Sequence, residues 1–232
     1  GIPMIGHCYL RSKMSNLLSD VYVATCDVEI YEYIQSIDGK AIMTANSHTR
    51  ASDRTAEALM KIEEKTKVKV DVVVMLQGDE PMVTPNMIEA AVKPLMDSSK
   101  ILISNLYSKI QTLSEFEDPN EVKVVIDNNK FALYFSREPI PSRKKGVTEV
   151  PMYKQVCVIP FKRDFLLEYN NMEETSLEII ESVDMMRILE NGLKVKMIFT
   201  SEESYAVDTP EDLEKVMAKM RTDILSRKYL LK

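Results

Sequence analysis

Two aspartates occupy positions from which this sequence could do cation-assisted chemistry. Asp79 stands in Gln77-Gly78-Asp79-Glu80-Pro81, directly after the apolar run Val70-Asp71-Val72-Val73-Val74-Met75-Leu76. A carboxylate leaving the carboxyl end of a strand is a hard oxygen donor suited to Mg2+; the same residue also serves as an ordinary polar turn. Asp208 stands in Val207-Asp208-Thr209-Pro210. Thr209 can cap a helix that begins at Pro210, a favourable first position, with Glu211 and Asp212 complementing its dipole. Asp208 is then left either for a cation or for the capping turn itself. Ser52 and Arg54 lie in the loop His48-Thr49-Arg50-Ala51-Ser52-Asp53-Arg54. A serine hydroxyl beside free amides can read a base edge, and a guanidinium pairs with phosphate or carboxylate in a fork. The plainer reading makes Ser52 or Asp53 a helix cap and Arg54 a first-turn surface residue. His48, alone, reads as structural.

The elements that must position these groups follow from pattern. A continuous β-branched run such as Val70 to Leu76, without alternation, reads as a strand buried on both faces, as in a parallel sheet covered by helices. Ligands of such sheets bind beyond the carboxyl ends of the strands. Shorter strands are expected at Val21 to Thr25 and Ala41 to Thr44. Helices are expected from Met4 through Leu18, near Glu29 to Gln35, over Thr55 to Glu64 and over Met87 to Met96. This strand–helix alternation predicts an α/β fold: a doubly wound, mostly parallel sheet with helices on both faces.

In the second half, Ile101 to Tyr107 reads as a strand. Val122 to Asp127 and Phe131 to Phe135 flank Asn128-Asn129-Lys130 as a hairpin. Met152 to Phe161 is a further strand-like run. Leu177 to Asn191 reads as a helix with Leu177, Ile180, Val183 and Ile188 facing a core, closed by Gly192. The tail from Met217 to Lys232 reads as one charged amphipathic helix. Ile140 to Val147 is the most linker-like stretch.

The string Gln77-Gly78-Asp79-Glu80-Pro81 resembles the signature of the cytidylyltransferases that activate 3-deoxy-manno-octulosonate (Kdo). The likeness extends through Asp53-Arg54-Thr55-Ala56-Glu57-Ala58, Pro119 to Val125, Ala132 to Arg137 and Val207 to Leu213, in that family's order and spacing. The resemblance implies a nucleotide-diphospho-sugar transferase-like fold in one domain over residues 1–232. A smaller β-rich portion, about 101–200, would serve sugar binding and dimerisation. The implied reaction couples CTP to a 2-keto-3-deoxy sugar acid destined for lipopolysaccharide, releasing pyrophosphate. Asp79 and Asp208 together would hold Mg2+ and be catalytic. Ser52, Arg54, Gln77 and Gly78 would bind nucleotide; Gln77, Arg137, Gln155 and Glu181 would bind the sugar. Lys123 is divided between serving the phosphates and decorating a sheet. A homodimer is expected, with the hairpin around Phe131 to Phe135 needing cover.

Several positions depart from the family pattern. Gly1-Ile2-Pro3-Met4-Ile5 resembles the segment that opens the family's first helix, with Ile2 in place of lysine. The strand and triphosphate loop that normally come before it are therefore expected to be lacking here. Ala51 stands where glycine is usual. The family's His-x-Gly-x-Tyr strand reads Gln155-Val156-Cys157-Val158-Ile159, keeping a polar group at Gln155 but losing a hydroxyl at Ile159. Two alternatives stay open: a cytidylyltransferase for another acidic or modified sugar, and a catalytically silent nucleotide- or sugar-binding protein.

Composition narrows the partners. The chain of 232 residues has a net charge of −6 and three cysteines. That balance argues against bulk nucleic acid but not against a nucleotide in a local pocket. An odd cysteine count without metal-ligand spacing fits free thiols in a reducing cytoplasm. No apolar run has the length of a membrane span.

Overall fold

The computed structural model describes residues 1–147 and 149–230. Its order begins α1 (Met4–Ser12), β1 (Val23–Thr25), α2 (Val28–Ser36), β2 (Ala41–Met43), α3 (Ala51–Thr66), β3 (Val72–Leu76) and α4 (Pro85–Asp97). The middle runs β4 (Ser104–Lys109), α5 (Leu113–Glu117), β5 (Lys123–Ile126), β6 (Ala132–Ser136), β7 (Tyr153–Val156) and β8 (Val158–Lys162). It closes with α6 (Arg163–Asn170), α7 (Ser176–Glu181), α8 (Met185–Glu190), β9 (Lys196–Phe199), α9 (Pro210–Met220) and α10 (Ile224–Leu230).

The helices cover the sheets from two sides, and the alternation of side chains along the strands shows how. On β3, Val73 and Met75 join the cluster that contains Ala56 and Leu59 of α3 and Phe165, Leu166 and Tyr169 of α6. Val72, Val74 and Leu76 point instead into a second cluster with Met87, Ile88, Ala91 and Val92 of α4. The same division holds around β4, where Ile103, just before the strand, and Tyr107 face the first cluster and Leu106 the second. Successive side chains point to opposite faces, so a strand covered on both faces needs apolar residues at every position. The valine run of β3 is the outcome.

The doubly wound α/β organisation expected from the sequence is present, with mixed strand pairing. Among the described residues, β1–β2 and β4–β9 are parallel. The pairs β3–β8, β4–β7, β5–β6 and β5–β7 are antiparallel. The strand expected over Met152 to Phe161 divides at Cys157. β7 then belongs to the five-stranded sheet β6-β5-β7-β4-β9, whereas β8 pairs with β3. One stretch of chain thus ties the sheet ahead of Asp79 to the sheet that carries Gln155.

Three helices differ from their sequence patterns. α1 stops at Ser12 rather than reaching Leu18. The helix expected over Leu177 to Asn191 breaks at Ser182, whose left-handed backbone (φ 52°) forms a corner between α7 and α8. The tail divides at Arg221–Asp223, where Asp223 receives the Ser226 amide and an ion pair from the buried Arg11 of α1. A buried guanidinium needs a charged partner, and Asp223 at this break supplies it. The hairpin is covered in part: Phe135 is buried among α8 residues such as Met186 and Ile188, while Leu133 remains exposed.

Candidate active site

The turn after β3 and the segment before α9 meet through their backbones. The Val207 amide donates to the Asp79 carbonyl at 3.0 Å. Thr209 caps α9 by accepting the Asp212 amide at 3.2 Å, and Asp212 returns a bond to the Thr209 amide. Asp208 is thereby left out of the cap. Asp79 is half-buried, and its Oδ1 is buried with no hydrogen-bond partner. Burial, followed by the charge of Asp208, raises the Asp79 carboxyl above its ordinary value. Two carboxylates brought together with an unpaired oxygen form a place that lacks positive charge.

Both aspartates line a cavity of about 290 Å3. Its walls include Gln77, Arg137, Gln155, Cys157, Ile159 and Asp184. Arg137 is held by backbone carbonyls: Nε donates to Glu181 at 2.8 Å, Nη1 to Pro119 at 2.8 Å and Nη2 to Ser182 at 3.3 Å. Three of its five N–H groups are used, and two remain to donate to a carboxylate. Gln155 Nε2 donates to Asn105 Oδ1 at 2.5 Å, which fixes the amide and keeps its own oxygen available.

Lys154 is buried between Glu115 (2.7 Å) and Glu121 (2.8 Å). Burial alone would lower its ammonium, but the two carboxylates outweigh burial and raise it. Burial raises Glu121 and Asp184 as well. Cys157 is held as a protonated thiol by burial and by the nearby Glu80 and Asp79.

Other residues singled out by the sequence do not line this cavity. Ser52 is buried and donates to Asp184 Oδ2 at 2.9 Å, while Arg50 reaches Asp184 Oδ1 at 3.3 Å. Ser52 therefore meets the cavity through Asp184. Ser52 and Asp53 do not cap α3, since Arg50 is its N-cap residue. Arg54 is committed inside its own loop, to Thr44 Oγ1 (2.6 Å) and the Ala45 and His48 carbonyls. His48 pairs with Glu57, a structural role.

Gly78 does provide for a close approach, but from the protein itself. A Cβ there would lie 3.2 Å from Ile5 Cδ1, and Cys8 Sγ donates to the Gly78 carbonyl at 3.3 Å. Glu181 accepts from Tyr134 Oη (3.0 Å), Ser136 Oγ (3.1 Å) and the Arg137 amide (2.8 Å). It thus closes the hairpin onto α7, while Asp184 beyond the Ser182 corner is the carboxylate at the cavity. Lys123 is fully buried and donates to the Asp118 carbonyl at 2.7 Å, so it neither decorates the sheet nor stands ready for phosphate.

Sequence reasoning overlooked Glu80, Glu121, Lys154 and Asp184. Lys154 carried a signal, since Met152 and Val156, two positions away on either side, are apolar and a buried lysine requires acidic partners. Asp184 carried none, because its place depends on the break at Ser182.

The profile of the cytidylyltransferase family matches residues 1–198. The 3-deoxy-manno-octulosonate cytidylyltransferase of Geotalea uraniireducens is 38% identical over 231 residues, covering 95% of this chain and 90% of that one. The enzyme of the same name from Thermodesulfovibrio yellowstonii is 40% identical, covering 91% and 86%. This chain belongs to the 3-deoxy-manno-octulosonate cytidylyltransferase family. A solved structure of CMP:2-keto-3-deoxy-manno-octonic acid synthetase complexed with CTP superposes with a TM-score of 0.85 at 34% identity, over 95% of this chain and 88% of that chain. The 4-diphosphocytidyl-2C-methyl-D-erythritol synthase of Anaerococcus prevotii shares the fold at 15% identity, with a TM-score of 0.61 over 95% and 87%. In this chain Asp79, with its unpartnered buried oxygen, and Asp208 both lie in the lining of one polar cavity.

Proposed function

We propose that this protein couples CTP to 3-deoxy-manno-octulosonate or a close acidic relative, giving the CMP-sugar and pyrophosphate. The observation that carries the reading is the pairing of Asp79, with its unpartnered buried oxygen, and Asp208 at a cavity that also contains Arg137. In this reading the sugar carboxylate takes the two free N–H groups of Arg137. Gln155, Gln77 and Asp184 accept or donate to sugar hydroxyls. Ser52 and Arg50 hold Asp184 in place, and Arg54 supports the nucleotide side by fixing the loop Thr44 to His48.

The donor set fits Mg2+, which binds one or two carboxylates and completes its shell with water and substrate phosphate oxygens. Asp79 and Asp208 would hold it. The bound ion supplies a Lewis acid to the reacting phosphate. The protein's own residues orient the sugar hydroxyl for in-line attack on the α-phosphorus. One phosphoester bond forms, the α–β phosphoanhydride breaks, and pyrophosphate leaves. Burial raises the Cys157 thiol well above its ordinary value, and in this reading it has no nucleophilic role.

Ile159 favours a modified sugar as a second reading. It lies in the cavity wall, buried beside Met75, and presents no hydroxyl where the family pattern has tyrosine. We also assign a homodimer, supported by the exposed Leu133 on the hairpin, and a cytoplasmic location, supported by three unpaired cysteines. No helix among the described residues is long and apolar enough to cross a membrane. The test is pyrophosphate release from CTP with Kdo and with modified 3-deoxy sugar acids. Release with any of them supports the reading; nucleotide binding without release from any would favour a silent binding protein.

A further inference from the structure

Glu80 is a buried carboxylic acid in the lining of the same cavity, next to the proposed cation site, with no assigned role. Its side chain is 4% exposed. Oε2 receives a short hydrogen bond from Ser204 Oγ, and Oε1 receives the Cys157 amide at 3.3 Å. These partners come from two distant parts of the chain. Cys157 is the joint between β7 and β8, and Ser204 begins the segment that ends in Asp208. One residue before Glu80, the Asp79 carbonyl receives the Val207 amide. The segment 204–208 is therefore held at two points, one a side chain and the other backbone.

Apart from these bonds that segment has little regular structure to place it, since β9 ends at Phe199 and α9 starts at Pro210. An isolated buried carboxyl is costly, and this one is kept satisfied by the groups it fastens together. We propose that Glu80 is a positioning residue whose bonds to Ser204 and Cys157 fix Asp208 opposite Asp79. In this proposal Glu80, though in the cavity lining, is not itself a cation ligand: its two oxygens are taken up by Ser204 and Cys157, and it acts through the loop. The inference rests on the reading of Asp79 and Asp208 as cation ligands, and its test separates the two.

Replacing a supporting residue outside the ligand set costs roughly tenfold to a hundredfold in metal affinity. Ser204→Ala removes the hydroxyl without touching Asp79's own turn. Glu80→Gln keeps the latch, because its amide oxygen accepts from Cys157 and its amide NH2 donates to Ser204. Two quantities are measured on the full chain: hydrogen exchange at the Val207 amide by NMR, and affinity for Mn2+ alone by electron paramagnetic resonance. Asp208→Asn serves as the reference.

Ser204→Ala should speed Val207 exchange and weaken Mn2+ at least tenfold, with Glu80→Gln close to the parent in both. Unchanged Val207 exchange in Ser204→Ala would overturn the latch. Faster exchange with unaltered Mn2+ affinity, while Asp208→Asn abolishes binding, would overturn the positioning role. If Asp208→Asn leaves Mn2+ affinity intact, the cation reading fails and with it the positioning role, whereas the latch is still decided by Val207 exchange.

Discussion

The Val207 amide donates to the Asp79 carbonyl at 3.0 Å, so the residues next to it in sequence, Asp79's own side chain and Asp208, share one site. Neutralising either carboxylate removes a hard oxygen donor of the proposed cation site without removing core volume. Asp79→Asn and Asp208→Asn should each abolish cation-dependent pyrophosphate release while thermal melting stays near the parent value. Full turnover in both variants would refute the assignment.

Arg137 is fastened by three backbone carbonyls and keeps two N–H donors free. A lysine there supplies a point charge and cannot reproduce the fork. Losing a charge-assisted bond of about 1.5–3 kcal/mol corresponds to roughly tenfold or more in binding. Arg137→Lys should raise KM for the sugar acid by that order and leave KM for CTP little changed. Equal effects on both substrates would mean that Arg137 shapes the site without binding the sugar.

Ile159 replaces a hydroxyl by apolar surface in the cavity wall. A site unable to pair a buried hydroxyl penalises it by about 1–3 kcal/mol. Plain Kdo should therefore be a poorer substrate than a deoxy, amino or acylated relative, and Ile159→Tyr should shift the kcat/KM ratio towards Kdo. A ratio unmoved by the substitution would show that Ile159 does not select the sugar.

Glu57 bonds to Lys61 at 2.6 Å, to the Ala45 amide at 2.9 Å and to His48. These groups, Lys61 foremost, lower its carboxyl from 4.5 to about 2. A carboxyl depressed in the folded state gives stability that is fully present above its unfolded pKa and is lost as pH falls through its folded one. Glu57→Gln should therefore lower the melting temperature at pH 7, and the difference from the parent should shrink between about pH 4.5 and pH 2. A difference that persists undiminished at pH 2 would assign the effect to packing.

The sequence by itself determined the α/β class and the places of Asp79 and Asp208. Both rest on local causes: a valine run covered on two faces, and a threonine–proline helix start that leaves the preceding aspartate unused. It also marked Arg137, Gln155 and Ile159, which meet in one cavity. Only the tertiary structure decided which other polar groups reach that cavity. Glu181 and Asp184 sit three residues apart, and the left-handed corner at Ser182 gives one to the hairpin and the other to the site. Ser52 and Arg54 carry side chains suited to ligands, yet their partners are protein groups: Asp184 just before α8, and the loop after β2. Glu80 had no role legible in the sequence because its partners, Cys157 and Ser204, are remote along the chain. Hydrogen-bond partners across such distances are set by how elements pack, and no local pattern encodes them.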